Sequence, residues 1–343
     1  MLTVDNLGQV IRIVDEGELR ALLREPEALA SARLAFRALA EERIVQPAPI
    51  GMTIPGVDGE IHIKGAYLVG SPIYAFKFAT SFPNNGGTDL PPGSGLFVVF
   101  DAKTGFPLAL FFDNGYLTDL RTAAAGALAI DLLTPKLINK VAVLGTGVQA
   151  RYQLRAAARV RRWSVTHAWG RSSTKVNKYC KEMERELDIP FMQAPSPEDA
   201  VRDADLLVTT TASRTPLVRE EWLKSNATVV AMGSDAPDKQ ELSSGVLARA
   251  DRIVVDHRGQ CAALGELHHA LEKRIFGEEK AIVELGQILT GRERARKPPE
   301  LIVCDLTGVG AQDAAIAEAA WNIVSQDNPH SFQRGIPEGR NQR

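Results

Sequence analysis

The hydrophobic pattern changes character along the chain. From Val14 to Arg43 apolar residues return at helical spacing (Leu19, Leu22, Leu23, then Leu29, Ala32, Phe36, Leu39), which predicts one or two helices. From Gln46 to Phe112 that rhythm gives way to short apolar or alternating runs, among them EIHIKGAYLVG, SPIYAFKFAT and LFVVFDAKTGFPLALFF, separated by turn residues. Asp101 to Gly105, between two such runs, is a hairpin signal, so the region reads as a mostly antiparallel sheet. An alanine-rich helix over LTDLRTAAAGALAIDLL follows, with Thr118 or Asp119 in position to cap it. From Lys140 onward strand and helix patterns alternate: KVAVLG, VQARYQLRAAARV, SVTHAWG and KVNKYCKEMEREL, then strands at ADLLVTTT, ATVVAMG, DRIVVD and LIVCDLTG. A last helix, AQDAAIAEAAWNIVSQ, precedes a polar tail. The alternation predicts a doubly wound parallel sheet of Rossmann type, beginning near Arg121 and joined to a first α+β domain.

Composition narrows the class. A length of 343 residues fits two domains, and 45% hydrophobic with 24% charged residues excludes general disorder. Lys and Arg number 40 against 42 Asp and Glu, a net charge of −2, which removes the broad electrostatic argument for nucleic acid or an anionic membrane. No apolar run approaches the roughly 18 residues of a membrane helix, and the first residues show no basic-then-apolar leader. Cys180, Cys261 and Cys304 are odd in number and far apart, which suits a reducing cytoplasm and not a disulfide framework.

The sharpest local signal is VAVLGTGVQA, in which Gly145, Gly147 and Ala150 fit G-x-G-x-x-A between a strand and a helix. The first glycine allows the tight turn, the second lets backbone approach a pyrophosphate, and the small third residue packs the helix on the sheet. A ligand-free strand-to-helix turn is the bland alternative; the long α/β alternation behind it favours a dinucleotide. At the end of the next strand, where NAD enzymes place an acid for the ribose 2′-hydroxyl, the chain reads Trp169, Gly170, Arg171, Ser172, Ser173. Arg171 and Ser172, with Lys175 nearby, supply donors for a 2′-phosphate, so NADP(H) is favoured and NAD(H) is the alternative. Arg171 as a solvated helix-start residue is the competing reading.

A nicotinamide only accepts or delivers hydride, so the first domain must hold and polarise the substrate. Lys77 lies in the very apolar run IYAFKFAT, Lys64 in the alternating EIHIKG, and Arg121 opens a small-residue helix, well placed to grip a carboxylate. Structural ion pairs are the alternative for each. Asp235, in the loop AMGSDAPDKQEL after a strand, would face the nicotinamide at the carboxyl ends of the strands. His62, His167, His257 and His330 are scattered and His268–His269 has no partner at metal-ligand spacing, so no metal is expected. Ser94 in PPGSG lacks a nucleophile elbow.

The ordered blocks YAFKF, FDAKTGFPLA, YLTDLRTAAAGALA, VAVLGTGVQARYQL, ADLLVTTTASRTPLV, GSDAPDKQEL and CDLTGVGAQDAA resemble the ornithine cyclodeaminase/mu-crystallin family from about Ala66 to Ala320. The resemblance implies a homodimer, with a substrate-binding and dimerisation domain over 1–121, rejoined by 314–343, and a dinucleotide-binding domain over 122–313. It implies that Lys77 contacts the substrate carboxylate and the carbonyl or imine centre, and that Arg121 lies near both carboxylate and cofactor. Asp235 would stand by the substrate amine, and Gly145, Thr146, Gly147, Val148 and Gln149 would form the pyrophosphate turn. Thr122, Thr211 and Lys239 fall in matching blocks and are assigned to the cofactor. Thirteen positions before Lys77 the cyclising branch has a glutamate, where this chain has Lys64, a cation that repels a distal ammonium and welcomes an acid group. The family LPTV is replaced by LPPGSG, which puts Ser94 in a threonine's place, and Leu306 stands where a serine is usual.

The resulting reading is a cytoplasmic NAD(P)-dependent oxidoreductase that reduces an imine, or oxidises an amine, alpha to a carboxylate, with a dicarboxylic imino acid suiting Lys64. Lys77, Arg121 and Lys64 would bind the acid and Asp235 would shuttle the proton. The alternative is an ornithine-type cyclodeaminase with internally recycled NAD. A binding module without turnover is a third reading, disfavoured by the joint presence of Lys77, Arg121 and Asp235.

Overall fold

Strand parity decides the first half of the molecule. The computed structural model describes residues 2–6, 9–82, 84–85, 89–277 and 279–326. The polar tail with His330, and Pro83 and Gly86 to Thr88 of the loop before Ser94, lie outside the described residues. The chain opens with β1 (Leu2–Asn6), β2 (Gln9–Asp15), α1 (Glu16–Leu22) and α2 (Glu25–Ala40). It continues through β3 (Ile44–Val45), β4 (Ile50–Ile54), β5 (Gly59–Leu68), β6 (Ile73–Ser81), β7 (Gly93–Asp101) and β8 (Pro107–Phe112). These strands form one sheet in the order β1-β2-β8-β7-β6-β5-β3, with β4 paired to β5. β2 and β8 run parallel and the other pairs antiparallel, so the sheet is mixed. The β7–β8 hairpin closes as expected: Lys103 N and Thr104 N donate to Asp101 Oδ1 at 3.0 and 2.7 Å, and Gly105 takes φ 73°.

Next comes α3 (Tyr116–Leu133), which starts earlier than the expected Thr118 or Asp119 cap. Gly115 is its N-cap at φ 90°, and Leu117 N donates to Asp113 Oδ2 at 2.9 Å. The left-handed turn at Gly115 lets the strand pass directly into the helix, so Thr118 and Asp119 fall within its first turn.

The second half follows as β9 (Lys140–Leu144), α4 (Val148–Val160), β10 (Val165–Trp169), α5 (Ser173–Leu187), β11 (Phe191–Gln193), α6 (Pro197–Val201), β12 (Leu206–Thr209) and β13 (Thr228–Ala231). Then come α7 (Ser244–Arg249), β14 (Arg252–Val255), α8 (Arg258–Cys261), α9 (Glu266–Glu272), β15 (Ile282–Glu284), α10 (Leu285–Leu289), β16 (Ile302–Asp305) and α11 (Gly310–Gln326). The strands form a wholly parallel sheet in the order β11-β10-β9-β12-β13-β16-β14-β15. Both faces are covered, so neighbouring residues serve opposite cores: Val141, Val143, Leu206 and Val208 face one, Ala142, Leu144 and Leu207 the other. Strand order reverses between β9 and β12, which opens a crevice beyond their carboxyl ends.

Two helices bind the halves together. The first turns of α3 (Leu117, Leu120, Ala124) pack in the core of the first sheet, and its later turns (Leu128, Ala129, Ile130, Leu133) in that of the second. The whole of α11 lies on the first sheet, with Ala311, Ala314 and Ala315 near Ala66 and Leu68, then Ile316, Ala317, Ala320 and Trp321 near Ile73 and Phe97. The expected divisions at 121/122 and 313/314 therefore fall inside helices. Helix α11, which packs on the first sheet, begins at Gly310.

Candidate active site

In the antiparallel pair β5–β6, Lys64 stands directly opposite Lys77. Residues so paired project from the same face of the sheet, and both lysines are buried, 8% and 3% exposed. Two ammonium groups side by side in a core are unfavourable unless answered. The answer comes from helices. Asp313, in the first turn of α11, accepts from Lys77 Nζ at 3.0 Å and lies 3.0 Å from Arg121 Nε of α3. Lys64 Nζ donates to the carbonyls of Thr307 and Gly308 at 3.1 and 2.8 Å, in the turn between β16 and α11. Gly308 has φ 75°, and a Cβ there would lie 2.5 Å from the Arg121 guanidinium, so only glycine fits. Gln260 Nε2 donates to the same Gly308 carbonyl at 2.9 Å.

Burial and the Arg121 guanidinium push the Lys77 ammonium down to about 7, against the pull of Asp313. Burial and Arg121 also lower Lys64, partly offset by Asp235 and Asp313. Burial opposes the ionisation of Asp313, but Arg121, Lys77 and Lys64 outweigh it and hold its carboxyl below the usual range. Lys77 and Arg121 thus share the Asp313 carboxylate, while Lys64 rests on backbone carbonyls and feels the charges of Asp235, Asp313 and Asp256 through space.

Lys64 opens into a hollow of about 560 Å³ that is also lined by Asp235 and Pro237. The Asp235 carboxylate is 45% exposed into this hollow, and Lys239 Nζ donates to it at 2.8 Å. Burial works against its charge, but Lys239, Lys64 and His62 hold it below the usual carboxylate range. Asp235 is therefore an anion at neutral pH, better suited to facing a cationic nitrogen than to giving up a proton. Lys239, assigned from the sequence to the cofactor, has its ammonium on Asp235 and lies 3.9 Å from Glu60 of β5.

A second hollow, about 600 Å³, lies at the β9/β12 reversal and is lined by Gly145, Thr146, Gly147, Arg171, Ser172 and Thr211 among others. Gly145 takes φ 113°, and a Cβ there would lie 2.5 Å from Thr210 Oγ1, so the turn requires glycine. At Gly147, the N-cap of α4, a Cβ would meet no protein atom within 4 Å. Among the described residues nothing demands its smallness, which fits backbone left open for a pyrophosphate. Arg151 of α4 donates to the carbonyls of Thr146 and Gly147 at 2.7 and 3.1 Å and steadies the turn. Ala150 is fully buried against the sheet. No acid stands after β10: Arg171 is exposed there, and Ser172 caps α5 by accepting from Lys175 N. These groups fit a dinucleotide.

Other expected cofactor residues have internal partners. Gln149 Nε2 donates to Asp119 Oδ1 at 2.7 Å, Thr122 Oγ1 to Thr118 O at 2.7 Å, and Thr211 N to Glu241 Oε1 at 2.5 Å. Val148 is 56% exposed. Leu306 is 5% exposed in the core and offers no polar contact. Ser94 Oγ donates to Asn114 Oδ1 at 3.2 Å beside Thr118 and Asp119, in a separate hollow. Sequence reasoning missed Asp313, although an acid inside AQDAAIAEAA was its visible signal. It also missed His62 and Gln260 on the wall near Lys64, which only the folded arrangement brings there. His268 and His269 gain a third potential metal ligand in Glu272, contrary to the expected lack of a partner.

This chain matches the ornithine cyclodeaminase/mu-crystallin family over residues 11–328. It belongs to that family. It is 40% identical over 313 residues to a putative dehydrogenase of Rhizobium meliloti, covering 91% of this chain and 95% of the relative. It is 38% identical over 325 residues to an uncharacterized cyclodeaminase of Sinorhizobium fredii, covering 94% and 98%. Among solved structures, a dimeric archaeal alanine dehydrogenase with bound NAD superposes with a TM-score of 0.85 at 30% identity, covering 93% of this chain and 97% of the other. The iminosuccinate reductase of Paracoccus denitrificans in complex with NAD+ gives 0.84 at 30% identity, with the same coverage. No helix of the described residues is long and apolar enough to cross a membrane.

Proposed function

We propose that this protein is an NAD(P)-dependent oxidoreductase that reduces an imine, or oxidises the corresponding amine, alpha to a carboxylate. The observation that carries the reading is the cross-strand pair Lys64–Lys77 with Arg121 beside it: three buried basic side chains, of which Lys77 and Arg121 share Asp313 and Lys64 donates to backbone carbonyls rather than to a carboxylate. A substrate carboxylate would give Lys64 the charged hydrogen-bond partner that the two carbonyls do not supply. Arg121 and Lys64 bind the acid groups of the substrate, and a dicarboxylic imino acid offers one to each. The nicotinamide cofactor supplies the hydride for the imine carbon. As the C=N electron pair moves onto nitrogen, the Lys77 ammonium, with a pKa of about 7, gives it a proton. Asp235, anionic in the same hollow as Lys64, stabilises the positive charge on the nitrogen.

NADP(H) is the preferred cofactor in this reading because Arg171, Ser172 and Lys175 line the nucleotide hollow where an acid would repel a 2′-phosphate. NAD, which both structural relatives carry, is the alternative. The protein acts as a homodimer: the outer face of the first sheet presents Tyr74, Phe76, Phe78, Leu96, Val98 and Phe100, all half-buried, and the archaeal relative is a dimer. Three buried free cysteines suit the cytoplasm.

The test is NADPH and NADH oxidation by the purified protein with keto acids plus ammonia or methylamine, and with cyclic imino acids. Turnover is expected, faster with dicarboxylic than with monocarboxylic keto acids, and Lys64→Glu should reverse that order. Ammonia release from ornithine without net change in cofactor would overturn the reading in favour of a cyclodeaminase, the activity named for the Sinorhizobium relative.

A further inference from the structure

Helix α9 carries His268, His269 and Glu272, and one possible ligand atom from each lies within 4.8 Å of the other two. Glu272 is four residues beyond His268 and three beyond His269, so one helical turn brings it to the same side. Both imidazoles are half-buried, and each holds one ring nitrogen against a backbone carbonyl. Nδ1 of His268 is 3.1 Å from Ala262 O, and Nε2 of His269 is 2.8 Å from Lys239 O. A carbonyl only accepts, so those nitrogens carry the protons and each ring keeps its lone pair on the other nitrogen. Metal-binding histidines are oriented in this way, by an outer partner on the nitrogen away from the ion.

We propose that His268, His269 and Glu272 bind a divalent transition ion of the zinc, cobalt or nickel class, at a site separate from the substrate hollow. Two imidazoles and one carboxylate suit these ions, whereas calcium and magnesium favour oxygen sets. Three protein ligands leave a position for water. The site touches the candidate active site through backbone. The carbonyl that takes His269 belongs to Lys239, whose ammonium holds Asp235. An ion on His269 would steady the segment that presents Asp235. The inference does not depend on the reaction proposed above.

The experiment is titration of the full-length, tag-free, chelator-treated protein with Zn2+ by calorimetry and with Co2+ by visible absorption. One ion per chain is expected at micromolar affinity. His268→Ala and Glu272→Gln should each weaken binding by at least about tenfold, since even the loss of an outer partner costs about 10–100-fold. Nucleotide binding should stay unchanged in both, and metal-free thermal unfolding in Glu272→Gln, whose side chain is exposed, which separates ligand loss from misfolding. His269 is left intact because its bond to Lys239 is part of the fold. Absence of saturable uptake would overturn the proposal, as would uptake that both variants retain in full.

Discussion

Asp313→Asn removes the one carboxylate shared by Lys77 and Arg121 while keeping the side chain's shape. Its Oδ1 lies 3.0 Å from each of the two cations. Unit charges at that distance attract by about 5–6 kcal/mol per pair at an effective dielectric of about 20. Most of this is offset by the cost of burying the charges, and breaking one partner out of a buried pair costs about 3–5 kcal/mol. Against a total stability of about 5–15 kcal/mol, the variant should still fold, with a melting temperature lower by roughly 10 °C. The diagnostic effect is on protonation. Asp313 raises the pKa of Lys77, and without it the value must fall below about 7. Retaining even a quarter of one pair's attraction as net coupling corresponds to about one pKa unit. A proton donor works in its protonated form, so kcat/KM for imine reduction should be high at low pH and decline as pH rises through about 7. In Asp313→Asn this falling limb should move toward acid by at least about one unit. The assay is the pH profile of kcat/KM for NAD(P)H oxidation, with thermal unfolding measured at the same pH values. A limb that stays in place in a folded variant would refute the assignment of Lys77 as the titrating donor.

Two further outcomes follow from the geometry. Arg171→Ala should weaken NADPH by about 1–3 kcal/mol, the worth of a hydrogen bond to a charged group, and leave NADH nearly unchanged; fluorescence titration with each cofactor checks it, and equal losses would show that Arg171 does not read the 2′-phosphate. Val98→Lys places a charge in the middle of the outer face of the first sheet, between Phe76 on β6 and Leu110 on β8. It should convert the proposed dimer to monomer in size-exclusion chromatography with light scattering, and a dimer of unchanged stability would mean that the subunits meet elsewhere.

The second half of the chain was legible because local rules suffice there. Strands buried on both faces read as unbroken apolar runs, and the glycine turn needs Gly145 for a backbone angle that other residues avoid. Helix α4 matches its predicted span, Val148 to Val160, because its apolar stripe lies within the segment and its N-cap, Gly147, immediately precedes it. Short elements such as β11, β15 and α6 escaped the pattern, since three to five residues are too few to show a period. The start of α3 was misjudged because its first turn is fixed by Asp113 and a left-handed Gly115, not by the polar residues that look like caps.

Lys64, Lys77, Arg121 and Asp235 could be singled out from the sequence, because a charge embedded in apolar surroundings is costly and calls for a reason. What they do to one another was decided by the tertiary structure. Register on β5 and β6 sets the two lysines face to face, while the turn at Thr307–Gly308 accepts one of them. Helix α11 brings Asp313 across 236 residues of chain to the other. The direction of each pKa shift depends on those distances and on burial, quantities absent from a linear pattern. The sequence by itself therefore determined which elements form and which side chains are out of place. Long-range packing decided their charges, because electrostatic coupling acts through space and not along the chain.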